Sequence, residues 1–233
     1  MTDPRPWVLF DLDDTLLDYE RSEAAAVVAA VEDVGLDADA DVVATYREIT
    51  AHHWRLREAG ETTPQRLRVE RWRDVLDALG VTTVVDLEAL SARYVTHLAA
   101  GAHLIPGARE VVVELARTHG IAYVTNGLSD VQRPRLAASG LDVLAEAVLI
   151  SDEVGVAKPS PAIFDAALVA MGEPQRDRVT VVGDSLTADV AGAAAAGLRS
   201  VWYAPQQPPA PAAAPRPDHH RGDLRDLPAL LAR

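Results

Sequence analysis

The chain has 233 residues, 48% hydrophobic and 24% charged, which suits a globular protein with one large core or a core carrying an insertion. Its formal net charge of −13 argues against a broad basic face for nucleic acid polymers, but allows a small phosphorylated ligand at a local positive site. With no cysteine there are no disulfides, thiolate metal sites or cysteine nucleophiles, and no run nears the roughly 18 apolar residues of a membrane helix.

The N-terminus lacks a basic region followed by a long apolar stretch, so no signal peptide and a cytoplasmic location are expected. Trp7-Val8-Leu9-Phe10 reads as a buried strand, followed by Asp11-Leu12-Asp13-Asp14-Thr15. Residues two apart on extended chain face one side, so Asp11 and Asp13 can face one site at the carboxyl end of a parallel strand. Two carboxylates held that close need a cation or a shared proton. The plainer alternative is a solvated strand end with a helix cap.

From 18 to 103 the periodicity is helical, over 24–34, 42–59, 63–79 and 87–100, with Gly35, Gly60 and Gly80 between; only 82–85 has strand character. Asp37, Asp39, Asp41 and Glu48 match part of a calcium-loop pattern. Its turn position, however, holds Val42 instead of glycine, so a helix start after a polar turn is the better reading. His52 and His53 are adjacent, and a helix would point them apart. Further strands are expected at 121–124, 147–150, 179–182 and 200–203, with helices at 107–119, 130–139, 161–171, 187–196 and a short closing one at 223–231. Gly120 and Gly197 mark helix ends, and Ser160-Pro161 supplies a cap with proline at the first helical position. Alternating strand and helix implies a parallel, doubly wound sheet. The Pro/Ala-rich 204–217 reads as an extended connection, and His219 and His220 after it as a solvated pair.

Three later segments also stand at strand ends. Thr125-Asn126-Gly127 can cradle an anion or be an ordinary turn. Lys158-Pro159 presents a lysine from extended chain, because proline disfavours helix at the preceding residue. Gly183-Asp184-Ser185-Leu186-Thr187-Ala188-Asp189 puts Asp184 at a strand end and Asp189 in the next helical turn. Sparse carboxylates with room for waters suit Mg²⁺, although Asp189 alone also fits helix capping.

The order acidic pair, hydroxyl, lysine, acidic pair resembles the haloacid dehalogenase superfamily of phosphohydrolases over nearly the whole chain. The resemblance implies an α/β fold: a doubly wound, Rossmann-like parallel sheet core, residues 1–17 plus 104–233, with an inserted all-helical cap at 18–103. It implies Asp11 as nucleophile forming an aspartyl-phosphate, Asp13 as general acid and base, and Lys158 neutralising charge. Thr125, Asn126 and Gly127 would hold phosphoryl oxygens. The implied cofactor is Mg²⁺, on Asp11, Asp184 and the backbone carbonyl of Asp13, with Asp189 supporting it, often through water. Within the superfamily, the segments 125–132, 151–159 and 182–185 look like bacterial pyrimidine 5′-nucleotidases and N-acylneuraminate-9-phosphatases. Trp54 and Arg57 are open between contacts to a base or sugar and ordinary cap core and surface.

The expected activity is therefore Mg²⁺-dependent hydrolysis of a small phosphomonoester, a pyrimidine nucleoside 5′-monophosphate first. The alternatives are a sugar-acid phosphatase of the N-acylneuraminate-9-phosphate or phosphoglycolate type, a metal-free 2-haloacid dehalogenase, and a non-catalytic phosphate-binding regulator. Family dehalogenases lack an acid at the Asp13 position, and the intact charged set opposes a mere regulator. The expected partner is a small phosphorylated metabolite, with no nucleic acid polymer, no membrane, and a monomer or homodimer.

Overall fold

The computed structural model describes residues 5–38, 40–58, 60–206 and 214–232. Asp39 of the calcium-like pattern, the helix end at Ala59 and the 207–213 part of the Pro/Ala-rich connection lie outside the described residues. The chain divides into two compact units: everything up to Tyr19 together with everything from Ala102 onward, and Glu20–Gly101 between them.

The larger unit starts with β1 (Trp7–Phe10), four apolar residues buried on both faces, as a central parallel strand must be. In the smaller unit follow α1 (Tyr19–Asp33, its first residue still in the larger unit), α2 (Ala40–Glu58), α3 (Pro64–Ala78) and α4 (Leu87–Ala100). The chain then runs through α5 (Ala108–Leu115), β2 (Gly120–Thr125), α6 (Ser129–Ser139), β3 (Ala147–Ile150), α7 (Ser151–Val154) and α8 (Pro161–Ala170). It ends with β4 (Val179–Gly183), α9 (Ala191–Ala195), β5 (Arg199–Tyr203), β6 (His219–Arg221) and α10 (Leu227–Leu231).

The strands form one parallel sheet in the order β3-β2-β1-β4-β5-β6. The chain moves outward from β1 through β2 to β3, then crosses back to place β4 on the other side of β1. The strand order reverses between β1 and β4, and in open α/β sheets the crevice at that switch point is where ligands bind. In register, Phe10 stands beside Tyr123 on one side and Val182 on the other, so β2 runs two residues and β4 one residue past the end of β1.

Alternation along β1 divides the core in two. Val8 and Phe10 pack with Val112 and Leu115 of α5 and Leu227 of α10. Trp7 and Leu9 pack on the opposite face with Ile163, Phe164 and Ala167 of α8 and Ala193 of α9. The helical unit has its own interior, an aromatic cluster of Tyr46, Trp72 and Tyr94 with ring centroids 4.8–5.7 Å apart. The buried Arg71 guanidinium lies 4.7 Å from the Tyr94 centroid and 5.5 Å from that of Tyr46, a cation–π pairing. Among the described residues no helix is long and apolar enough to cross a membrane.

Three elements differ from the sequence expectations. Segment 82–85 forms no strand; Thr82, Thr83 and Val84 are exposed, Val84 by 98%, and Val85 is half-buried. The helix expected over 107–119 ends at Leu115, its last turn tightened by bonds from Arg117 N–H to Glu114 O and Thr118 N–H to Leu115 O. His219 and His220 belong to the edge strand β6, where the His220 ring stacks on Trp202 with centroids 4.7 Å apart.

Because β1 is covered on both faces, Leu9→Ala is expected to lower the unfolding free energy by about 2–5 kcal/mol. Val84→Ala is expected to change it by less than about 0.5 kcal/mol. Urea unfolding of both variants checks this, and similar losses would contradict the assignment of Leu9 to the core.

Candidate active site

The carboxyl ends of β1, β2 and β4 deliver the chemistry-bearing residues to one edge. Asp11 leaves β1 with its N–H donating to Val182 O of β4 at 2.8 Å. The chain then turns at once, Leu16 and Leu17 N–H both donating to Leu12 O at 2.8 Å. That turn brings Thr15 back, and its buried hydroxyl donates to Asp11 Oδ2 at 3.3 Å. Asp14 at its apex adopts a left-handed conformation (φ 58°), and its carboxylate accepts from Tyr19 N–H at 3.0 Å, at the start of α1.

Lys158 sits between α7 and α8 and is almost wholly buried. Its ammonium donates to Asp11 Oδ1, to Asp189 Oδ1 at 2.7 Å and to Val124 O at 3.2 Å, which uses all three of its protons. Its backbone is fixed by Asn126, whose Nδ2 donates to Lys158 O at 2.9 Å while Oδ1 accepts from Lys158 N–H at 2.8 Å. Asn126, assigned from sequence to phosphoryl oxygens, thus has both polar ends of its side chain engaged with the lysine loop.

Asp184 follows β4, and Trp202 Nε1–H of β5 holds its carbonyl at 2.7 Å. The next turn, Leu186–Val190, is wider than an α-helix, with both Asp189 and Val190 N–H donating to Ser185 O at 3.0 and 3.1 Å. Asp189 is thereby turned inward, where Oδ2 accepts from Ser185 N–H at 3.0 Å and Oδ1 meets Lys158. A Cβ at Gly183 would fall under 3.0 Å from the Asp189 carboxylate, so only glycine lets this acid lie against the strand end. Oxygens of Asp11, Asp184 and Asp189 all lie within 4.8 Å of one another. Asp189 therefore lies beside the other two carboxylates.

Three carboxylates, Asp11 and Asp189 buried and Asp184 half-buried, outnumber the one ammonium. Burial first, then the charges of Asp189 and Asp184, raise the Asp11 carboxyl well above its usual range, against the opposing pull of Lys158. Burial and the charges of Asp189 and Asp14 push Asp184 up to about 7. Burial alone would lower Lys158, but Asp11 and Asp189 beside it more than reverse that and raise it. A divalent cation at the three acids would relieve this imbalance, and all-carboxylate oxygen ligation with room for water is what Mg²⁺ accepts. The donor set fits.

Thr125 ends β2. Its buried hydroxyl oxygen accepts from Gly127 N–H at 3.2 Å and Gln132 Nε2 at 3.0 Å, which leaves its own proton to donate elsewhere. The Asp13 carboxylate lies apart from the acidic cluster and is held by Gln132 at 2.6 Å and by Arg135. Any metal contact through the Asp13 backbone carbonyl remains compatible with this. Sequence reasoning assigned no role to Thr15, Gln132, Arg135 or Trp202. A hydroxyl four residues after Asp11, and two long polar residues three apart on one face of the helix after Thr125-Asn126-Gly127, were the available signals. In the helical unit, Trp54 and Arg57 are half-buried, and His53 is buried against Asp74 at 2.8 Å while His52 is exposed.

Residues 6–197 match the family of haloacid dehalogenase-like hydrolases. The HAD-hydrolase YfnB of Bacillus subtilis is 32% identical over 87% of this chain and 85% of its own. The pyrimidine 5′-nucleotidases YjjG of Escherichia coli and PynA of Streptococcus pneumoniae are 31% and 30% identical, each over about 84% of both chains. The crystal structure of YfnB bound to magnesium superposes with a TM-score of 0.88 at 29% identity, covering 99% of this chain and 100% of that one.

Charge crowding predicts how the metal-free protein responds to pH. Asp184 goes from an unfolded value of 3.8 to about 7 in the folded protein, so the folded state binds more protons between those values. Stability in excess chelator should therefore fall as pH rises through that window, and Asp11 contributes in the same sense. Thermal melting between about pH 5 and pH 8 should show that fall. Mg²⁺ should stabilise more at the upper end, and the slope should be shallower in Asp184→Asn. A Mg²⁺ effect independent of pH would contradict the crowding.

Proposed function

The chain belongs to the haloacid dehalogenase-like hydrolase family, and from that premise we propose that it is a phosphatase of small phosphomonoesters working through an aspartyl-phosphate. The observation that carries this reading is Asp11 itself. Lys158 and Thr15 each engage one of its oxygens, so the carboxylate is held in one orientation at the sheet's switch point. In the first displacement Asp11 attacks phosphorus while Asp13 gives its proton to the departing alkoxide, which leaves as the alcohol. In the second, Asp13 takes a proton from water as the water oxygen attacks phosphorus, which frees phosphate and restores the Asp11 carboxylate. Thr125 donates its hydroxyl proton to a phosphoryl oxygen, and Lys158 offsets charge on the nucleophile and the transferring group. Asp11, Asp184 and Asp189 would hold Mg²⁺, which when bound neutralises charge between nucleophile and phosphoryl group.

An acid at Asp13 opposes dehalogenase chemistry, which has no leaving alkoxide to protonate. The substrate class rests on likeness to YjjG and PynA, both named as pyrimidine 5′-nucleotidases. Pyrimidine nucleoside 5′-monophosphates are therefore the proposed substrates.

Asp11→Asn should keep its fold and thermal stability but lose activity by several orders of magnitude, since it keeps the shape and removes the nucleophile. Phosphate release above about a tenth of the wild-type rate would sink the proposal. A panel of phosphorylated metabolites, assayed with Mg²⁺ and in chelator, tests the rest. kcat/KM should be highest for UMP, dUMP or dTMP and vanish in chelator. A higher value for N-acylneuraminate 9-phosphate or phosphoglycolate would overturn the nucleotidase reading alone.

A further inference from the structure

We infer that Gln132 and Arg135 of α6 are positioning residues that tie the general acid to the phosphoryl-binding hydroxyl; this rests on the reading of Asp13 as acid and base. Gln132 is buried and its amide is fully engaged. Nε2 donates one proton to Asp13 Oδ2 at 2.6 Å and the other to Thr125 Oγ1 at 3.0 Å, while Oε1 accepts from Arg135 Nη1 at 3.1 Å. Arg135 fixes which way the amide faces, because its nitrogen can meet only the oxygen end. The same Nη1 donates to Asp13 Oδ1. Each Asp13 oxygen thus receives one donor from α6 and retains a second position, which can carry the proton given to the leaving oxygen or accept one from water. Because one amide bridges Asp13 and Thr125, the proton donor and the phosphoryl donor are set relative to each other by a single side chain.

An independent feature of the turn makes room for this bridge. A Cβ at Gly127 would fall under 3.0 Å from Nε2, Cγ and Cδ of Gln132, so glycine there lets the glutamine lie across the turn to Asp13. Neither Gln132 nor Arg135 reaches the three carboxylates of the acidic cluster. Their effect is therefore expected on proton delivery, not on metal affinity.

The test compares p-nitrophenyl phosphate, whose phenolate leaves without a proton, with phenyl phosphate, whose phenolate needs one. Single-turnover release of each phenol is measured with enzyme in excess and saturating Mg²⁺. In Gln132→Met the ratio of the nitrophenyl to the phenyl rate should rise about tenfold, within the range that general acid catalysis contributes. Arg135→Lys and Gly127→Ala should raise it in the same direction, with thermal melting used to confirm folding; the buried Arg135 is the variant at risk, and Gln132→Met carries the test without it. In an Asp13→Asn background Gln132→Met should leave the ratio unchanged, since the two act through one group. A ratio that rises in Asp13→Asn but not in Gln132→Met overturns the inference while the mechanism stands. A ratio unmoved in Asp13→Asn itself overturns the acid–base reading, and the inference with it.

Discussion

The site depends on one buried ammonium shared by two carboxylates. Lys158 joins Asp11 at the end of β1 to Asp189 in the turn after β4, and its third proton goes to the end of β2. No local stretch of chain could assemble that contact; it needs three strands adjacent and parallel. Removing the lysine from such a buried arrangement typically costs about 3–5 kcal/mol, because the carboxylates are left unmatched. The same lysine cannot balance three acids, and the residual negative charge is what suits the cluster to a cation. Under the proposed function, stability and chemistry draw on the same imbalance, which a cation completing the set would relieve.

Close approach makes this crowding possible. Gly183 and Gly127 are each followed, five or six residues on, by a side chain that folds back over the place where a Cβ would stand. In one case Asp189 returns to the lysine, and in the other Gln132 returns to Asp13. The widened turn at Leu186–Val190 serves the first return, since a regular α-helical turn would present Asp189 at a different angle. The polar interior is thus fixed by backbone shape at two strand–helix junctions as much as by the side chains themselves.

Much of this is legible in the sequence because parallel strands and their carboxyl ends have strong local signatures. Trp7–Phe10, Val179–Gly183 and the strand ending at Thr125 are short apolar runs followed by polar turns, which is the pattern that singles out Asp11 and Asp184 in the sequence. What local pattern cannot supply is pairing across distance. His219–Arg221 has no apolar signal, and is a strand only because β5 offers it an edge. Asn126 has a residue type suited to an anion, and only the fold reveals that Lys158 occupies its amide. Gln132 and Arg135 look like ordinary helix surface until α6 is laid against Asp13.

The central claim is that hydrolysis proceeds by two displacements at phosphorus, the first made by Asp11. Stereochemistry at phosphorus tests it most directly, using a phosphorothioate monoester made chiral at phosphorus with two oxygen isotopes and hydrolysed in water of the third, so that the released thiophosphate is chiral. Two in-line displacements each invert the configuration, so the account predicts net retention. Net inversion would mean a single attack by water and would contradict it.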